Sequence, residues 1–101
     1  MFRVGRRRIG KGEPVFIVAE ISGNHNQDIN RAKSIIDAAA AAGADAVKLQ
    51  TYTADTITID CDRPEFVVKG SNDAWEGKTL YELYGEASTP WEWHKELFQY
   101  T

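Results

Sequence analysis

The sequence predicts an α/β fold organised around one βαβ unit, and three features between residues 15 and 51 indicate it. The first is a short run rich in β-branched residues at 15–21, and the second is an alanine-rich segment with helical periodicity that ends at Gly43. The third is another apolar run at 46–51. Two strands joined by a helical crossover must run parallel, because a two-residue hairpin connects only antiparallel strands.

Polar side chains occupy one face of each predicted strand near its carboxyl end. Successive strand side chains face opposite sides of a sheet, so Glu20 shares a face with Phe16 and Val18, and Lys48 shares one with Gln50. The crossover helix must cover the other face of each strand, which is continuously apolar. In an α/β barrel the uncovered face is the interior, and active sites form at its carboxyl-terminal end. The residues alone also allow a purely structural Glu20–Lys48 pair that fills such an interior.

Residues 1–14 predict a β-hairpin with a turn near Gly5-Arg6, in which Phe2 and Val4 pair with Arg8 and a neighbour. This segment is basic, but it has neither interleaved aromatic residues nor a helix behind it that could read bases. A solvated hairpin is therefore favoured over a nucleic-acid or phosphate site.

The crossover helix is predicted to begin at Ile29, with Asp28 as its N-cap and Gly43 at the C′ position. In the polar turn before it, residues 22–27, Gly23 is expected to adopt a positive φ. The buried stripe has helical spacing and consists of Ile29, Ala32, Ile35, Ile36, Ala39 and Ala42.

The second half of the chain predicts a long connection followed by two helices. Residues 52–78 carry no helical stripe, and a loop of this length is usually functional. Within it, residues 66–68 are candidates for a short strand or for a lid. A short helix is predicted over residues 79–84, ended by Gly85. Residues 89–92 match a capping box with proline at the first helical position, and Trp93, Leu97 and Tyr100 then form a buried face.

Composition excludes several classes of protein. The 101 residues allow one domain, and the net charge of −3 gives no general affinity for nucleic acid or anionic membranes. Cys61 is the only cysteine, which rules out an internal disulfide framework and fits a reducing cytoplasm. No apolar run approaches the length of a membrane span, and no signal peptide is recognisable. We therefore expect a cytoplasmic protein.

Several separated motifs resemble the amino-terminal part of the sialic acid (nonulosonic acid) synthase family. They are AEISGNHN at residues 19–26 and AGADAVKLQT at residues 42–51. Two more, QTYTADTIT at 50–58 and TPWEWH at 89–94, resemble the pseudaminic acid synthase branch of that family. The resemblance covers essentially the whole chain.

The resemblance implies a fold and an assembly. The chain is expected to form the amino-terminal portion of a (β/α)8 TIM barrel, preceded by a β-hairpin that closes the bottom of the barrel. The implied segments are a hairpin at 1–14, the first βαβ unit at 15–51, a long loop at 52–78 and helices at 79–101. The remaining strands and a carboxyl-terminal antifreeze-like domain are expected outside this fragment, which is expected to be inactive alone. Full-length members are expected to form homodimers.

The resemblance also implies a reaction, the condensation of phosphoenolpyruvate with an acetamido-sugar aldehyde with release of phosphate. The implied acceptor is 2,4-diacetamido-2,4,6-trideoxy-L-altrose, giving pseudaminic acid, and the alternative is N-acetylmannosamine, giving N-acetylneuraminate. Glu20 matches the catalytic glutamate, which would stabilise positive charge or manage a proton, and Lys48 matches the lysine that binds phosphoenolpyruvate. The substrate-binding candidates beside Lys48 are Gln50, Asn24, His25 and Asn26.

A divalent metal, Mn²⁺ or Mg²⁺, is implied for the full-length enzyme, with its ligands outside this chain. His25 has no second ligand at useful spacing, so we expect it to order its loop or contact substrate rather than bind metal. His94, Trp91 and Trp93 are expected to pack at a helix start, and Asn72 is the candidate for the acceptor-binding asparagine of the family. The alternatives to a synthase are a Schiff-base aldolase that uses Lys48 and a non-enzymatic interaction piece.

Overall fold

The computed structural model describes residues 1–69 and 75–101, and this part of the chain has an α/β fold. No helix in these ranges is long and apolar enough to cross a membrane. Asn72 lies outside the described residues. The elements are β1 (Phe2–Val4), β2 (Arg7–Ile9), β3 (Val18–Glu20), α1 (Ile29–Ala41), β4 (Ala46–Lys48), α2 (Ala54–Ile57), α3 (Leu80–Ala87) and α4 (His94–Tyr100), with 3₁₀ turns at Pro64–Phe66 and Trp91–Trp93.

Strands β3 and β4 pair in parallel, as the predicted βαβ unit requires, and Glu20 lies opposite Lys48 in the register. Both strands are shorter than predicted. Backbone bonds at Ile17 and Ile21 extend the ladder, but Val15 is 80% exposed and lies outside it. In the described part of the chain β3 has only β4 as a partner, so the backbone beyond their shared register is not held in a sheet.

Helix α1 begins and ends where the sequence predicts. The Asp28 carboxylate accepts the backbone N–H groups of Asn30 (2.9 Å) and Arg31 (3.4 Å), so it is the N-cap. Gly43 follows the helix at φ +93°, the left-handed C′ conformation that glycine adopts without steric cost. These two signals were readable because both act within a few residues.

The core lies on one face of the β3–β4 pair and joins α1 to α4. Its fully packed residues are Ile21, Ala32, Ile36 and Leu97, and Val47, Leu49 and Trp93 pack against them. The crossover helix therefore covers the predicted apolar face, and Glu20 and Lys48 lie on the opposite one. Tyr100 departs from the predicted buried face of α4, because it is 43% exposed and its hydroxyl donates to the Asp37 carboxylate on α1 (2.7 Å).

The amino-terminal hairpin forms around Gly5, but its register differs from the predicted one. Arg8 lies opposite Arg3, whereas Phe2 faces Ile9 and Val4 faces Arg7. The hairpin is also tied to the βαβ unit, since Arg7 forms an ion pair with Asp45, just before β4. The other oxygen of that carboxylate accepts the Ile17 N–H at 2.9 Å. This N–H, together with Arg7, holds the pKa of Asp45 below its ordinary value.

The connection after β4 contains structure that periodicity did not predict. Thr53 and Thr56 form a reciprocal capping box that starts the single turn of α2, which is too short to show a stripe. Further on, Val67 makes an antiparallel bridge with Thr79, so one residue of the candidate strand does pair.

Helix α3 runs through Gly85 to Ala87, so the predicted stop at Gly85 was wrong. One glycine inside a helix costs only about 1 kcal/mol relative to alanine, whereas the residue before a proline is kept out of the helical region. Pro90 therefore explains an end shortly before it. The capping box predicted at residues 89–92 is also wrong, because Trp91–Trp93 forms a 3₁₀ turn and α4 begins only at His94.

Candidate active site

Glu20 and Lys48 form an ion pair at the carboxyl ends of β3 and β4. Because the two residues are register neighbours in a parallel pair, their side chains emerge side by side, and Lys48 Nζ donates to Glu20 Oε1 at 2.8 Å. Both side chains are 60% exposed. The hydrogen bond from Lys48, and then its charge, lower the pKa of Glu20. Glu20 is therefore a carboxylate at neutral pH in the free chain, and the pair is open to an incoming ligand.

Gln50 follows two residues after Lys48 with an exposed side chain. Its backbone oxygen does not continue a strand ladder but accepts the Thr89 N–H at 2.9 Å. The end of this segment is thus held by the connection between α3 and α4.

The loop at residues 22–27, here called the first loop, leaves β3 at the same end. Its left-handed residues are Ser22 (φ +53°), Asn26 (φ +49°) and Gln27 (φ +58°). Gly23 was predicted to take this role and does not. Its lack of a side chain serves close packing instead, because a Cβ built on Gly23 would lie 2.8 Å from the Cβ of Ala87 on α3.

The two predicted asparagines are exposed in the first loop. Asn24 Nδ2 donates to the Ile21 carbonyl at 3.0 Å, and the Asn24 carbonyl accepts the Arg31 side chain at 2.7 Å. Asn24 is therefore fixed between the end of β3 and the start of α1. Asn26 lies one residue beyond His25, in one of the left-handed conformations.

His25 is completely buried, and both of its ring nitrogens are used within the chain. The Gln27 N–H donates to Nδ1 at 3.0 Å, Nε2 lies 3.2 Å from the Thr89 hydroxyl, and the ring packs edge-on against Trp93. Burial lowers the pKa of His25. Of the two predicted roles, these contacts support loop ordering. The ring exposes no surface in this chain, so these contacts give no support to a direct substrate contact, which stays a prediction.

Sequence reasoning missed the threonines that join these elements. The Thr51 hydroxyl donates to the Thr89 carbonyl at 2.7 Å and lies 2.6 Å from His94 Nε2. His94 also stacks on Trp91, as predicted for packing residues at this helix start, and it has this further polar contact. The one signal available was the position of Thr51 at the end of an apolar run, where a polar side chain reaches the loops.

The divalent metal that the resemblance implies would need a close group of metal-ligating side chains. Across residues 1–69 and 75–101, no three or more His, Cys, Asp and Glu side chains gather closely enough to hold a metal ion. The described residues therefore do not fit a metal centre by themselves.

Comparison with known proteins places this arrangement in a family. Residues 35–101 match the NeuB family. The chain is 51% identical over 87 residues to pseudaminic acid synthase from Helicobacter pylori, covering 86% of this chain and 25% of that protein. It is 48% identical over 85 residues to pseudaminic acid synthase from Campylobacter jejuni, covering 84% of this chain and 24% of that protein.

This chain is also similar to a solved structure. The crystal structure of the spore coat polysaccharide biosynthesis protein SpsE from Bacillus subtilis superposes with a TM-score of 0.63 at 34% identity, covering 98% of this chain and 24% of that one. The chain thus spans about a quarter of the length of the curated relatives that it matches. On its sequence matches, the chain belongs to the NeuB family of sialic acid synthases, with high similarity to the pseudaminic acid synthases.

Proposed function

We propose that this chain is the amino-terminal part of a nonulosonic acid synthase, built as the first portion of a (β/α)8 TIM barrel. The proposed enzyme condenses phosphoenolpyruvate with the open-chain aldehyde of an acetamido sugar and releases phosphate. The observation that carries the proposal is the exposed Glu20–Lys48 pair at the carboxyl ends of two parallel strands, in a chain of the NeuB family. Barrel enzymes form their active sites at that end.

Lys48 is proposed to bind the phosphate or the carboxylate of phosphoenolpyruvate. Among the described residues its ammonium has one anionic partner, the Glu20 carboxylate at 2.8 Å, and its side chain is largely exposed. An anionic ligand that approaches this face therefore has direct access to the ammonium. A Schiff base at Lys48 is less well supported, because the similar relatives are named as synthases and not as aldolases.

Glu20 is proposed to act on the positive charge that develops during condensation. In the proposed reaction the C3 carbon of phosphoenolpyruvate attacks the aldehyde carbon, the aldehyde oxygen takes a proton, and C2 becomes cationic. Water then adds to C2, and the resulting tetrahedral centre expels phosphate to leave a ketone. The lowered pKa of Glu20 supports a carboxylate that stabilises the cation, rather than an acid that donates a proton.

The acceptor sugar is proposed to meet the amide groups beside the ion pair. Gln50, Asn24 and Asn26 are exposed and offer both donors and acceptors, which suits hydroxyl and acetamido groups. The similarity to two pseudaminic acid synthases favours 2,4-diacetamido-2,4,6-trideoxy-L-altrose as the acceptor. N-acetylmannosamine, which would give N-acetylneuraminate, is the alternative. The Mn²⁺ or Mg²⁺ expected from the resemblance would need ligands outside the described residues.

The test is to express the complete polypeptide encoded by the reading frame that contains these residues. Phosphate release from phosphoenolpyruvate is then measured with each acceptor sugar and with no sugar. We expect sugar-dependent release that is faster with the diacetamido sugar. The proposal would be overturned if neither sugar caused phosphate release. Faster release with N-acetylmannosamine would make that sugar the acceptor instead.

A further inference from the structure

We infer that His25 is a positioning residue, whose neutral ring acts through Thr89 to hold the first loop where Asn24 and Asn26 meet the acceptor sugar. The identity of the sugar rests on the proposed function. The His25–Thr89 contact itself rests on the geometry of the chain, so the two parts of the inference can be tested separately.

The hydrogen bonds of His25 define its tautomer. Nδ1 accepts the Gln27 N–H at 3.0 Å, so Nδ1 carries no hydrogen. In the neutral ring the hydrogen is then on Nε2, which donates to the Thr89 hydroxyl oxygen at 3.2 Å. One nitrogen thus closes a turn within the first loop, and the other reaches a residue 64 positions away.

The first loop needs such an external contact because its backbone is strained. Three of its six residues are non-glycine residues with positive φ, and each such conformation costs of order 1–3 kcal/mol and persists only when its surroundings impose it. Apart from the bonds of Asn24 to the end of β3 and the start of α1, many of the contacts of this loop are made with the end of α3 and the residues that follow. Gln27 Nε2 donates to the carbonyls of Glu86 (2.6 Å) and Ser88 (2.8 Å), and Gly23 packs on Ala87.

The same segment is bonded to the chain beyond β4. The Thr89 N–H donates to the Gln50 carbonyl, and the Thr51 hydroxyl donates to the Thr89 carbonyl. Thr89 therefore contacts the first loop through its side chain and residues 50–51 through its backbone. Together with the Gln27 bonds and the packing of Gly23, the His25–Thr89 contact ties the first loop to the segment that bonds Gln50. Lys48 lies before this link, within the β3–β4 ladder.

Substrate kinetics of the complete polypeptide test this link with His25→Ala, Thr89→Val and the double variant. A displaced first loop should lower kcat/KM for the acceptor sugar by about 10- to 100-fold, while KM for phosphoenolpyruvate is unchanged. The double variant should be no worse than the worse single variant, because both remove one contact. Ser34→Ala removes a hydroxyl that bonds the Asn30 carbonyl on α1 and is the control expected to match wild type.

Two conservative variants separate the two bonds of the ring and avoid reliance on His25→Ala if that variant does not fold. His25→Gln places an amide N–H where Nε2 lies and should recover acceptor-sugar kinetics. His25→Asn keeps an acceptor for the Gln27 N–H but cannot reach Thr89, so it should not recover them. Three outcomes would overturn the inference. They are recovery by His25→Asn but not by His25→Gln, independent effects of the His25 and Thr89 substitutions, and an equal rise in KM for both substrates.

Hydrogen exchange of the peptide that covers residues 22–28 gives a readout that does not depend on turnover. We expect faster exchange in His25→Ala and Thr89→Val than in wild type and Ser34→Ala. If the wild-type polypeptide shows no turnover but these differences appear, the proposed function fails and the His25–Thr89 contact stands. Unchanged exchange in both variants would show that the contact does not hold the first loop, and the inference would fail.

Discussion

At the scale of single residues, two of the lysine–glutamate pairs in the described part of the chain join different elements and serve different purposes. Lys48 and Glu20 meet at 2.8 Å at the carboxyl ends of two strands, whereas Lys33 and Glu96 meet at 3.1 Å between α1 and α4. Exposed ion pairs contribute little to stability, with a typical value of about 0–1 kcal/mol. The position of the first pair, and not its strength, therefore supports a role in chemistry, and the second pair is a matched control.

Replacement of Lys48 by alanine should weaken the binding of phosphoenolpyruvate to the complete polypeptide. Loss of one partner of a close charge pair costs about 2 kcal/mol at the lower end, or roughly 30-fold in Kd. Titration calorimetry with phosphoenolpyruvate measures the Kd of Lys48→Ala and of the control variant Lys33→Ala. Equal affinity of Lys48→Ala and wild type would remove Lys48 from the phosphoenolpyruvate site.

Replacement of Glu20 by glutamine should lower kcat far more than it changes either KM. The proposed work of the carboxylate lies in the transition state, and loss of such an electrostatic contact lowers kcat by about 10²–10³-fold. Steady-state kinetics of Glu20→Gln are compared with those of Glu96→Gln, which removes the charge of the control pair. A rise in KM for the sugar at constant kcat would instead make Glu20 a recognition residue.

The buried His25 ring should make the stability of the 101-residue chain depend on pH. Burial lowers its pKa in the folded state below its ordinary value of 6.5, so the unfolded chain binds the proton more readily. The contribution of the neutral ring is complete above pH 6.5 and is lost as the pH falls through the folded-state pKa. Urea midpoints at pH 7.5 and pH 5 should therefore differ more in wild type than in His25→Gln. An equal difference would mean that other groups carry the dependence.

At the scale of elements, the end of α3 packs against the first loop more closely than any side chain on Gly23 would allow. The clash of a Gly23 Cβ with Ala87 involves backbone atoms as well, since the Ala87 Cα and carbonyl oxygen would each lie 3.1 Å away. A backbone neighbour cannot rotate aside as a flexible side chain can. The glycine in this motif thus serves the contact between a loop and a helix far apart in sequence.

Alanine at Gly23 should destabilise the chain by about 1–3 kcal/mol, the usual cost of overpacking. Alanine at Gly85 should stabilise it by about 0.5–1 kcal/mol, because Gly85 lies inside α3 and a Cβ there meets open space among the described residues. Urea unfolding followed by tryptophan fluorescence measures both variants. A midpoint for Gly23→Ala at or above that of wild type would show that the loop and α3 do not pack as described.

At the scale of the whole molecule, the face that carries the ion pair is open to water. The radius of gyration of the chain is 16.5 Å, which is larger than the ~13 Å of a compact domain of this length. An open groove of about 880 Å³ contains Lys48 and is lined by exposed apolar residues. Among them are Phe2 (61% exposed), Val4 (45%) and Val18 (47%). Solvent screens charges on such a face, so the pair is not preorganised as it would be inside a closed barrel.

The 101 residues alone should therefore show no sugar-dependent release of phosphate from phosphoenolpyruvate. The complete polypeptide, assayed at the same molar concentration with both sugars, is the comparison. Turnover by the monomeric 101-residue chain would mean that its own residues suffice and would remove the need for a closed barrel.

Local patterns in the sequence determined the elements whose causes are local. Asp28 and Gly43 determine where α1 begins and ends, through contacts within a few residues. The alternation of side chains in β3 and β4 places Glu20 and Lys48 on the same uncovered face. Alternation and a parallel crossover predict that both side chains lie on one face at one end of the sheet, so this part of the candidate site was predictable, whereas the register that makes them neighbours came from the structure. The identity of the family was readable for a similar reason, since its motifs are short contiguous segments.

Contacts between distant segments were decided only by the tertiary structure. Thr89 reads as a helix cap, but its hydroxyl lies at His25, 64 positions earlier, and Gly23 reads as a turn glycine but is required by Ala87. Each of these residue types suits both a local contact and a remote one. Sequence order reveals only the local demand, whereas the packing of α3 on the first loop selects the remote one.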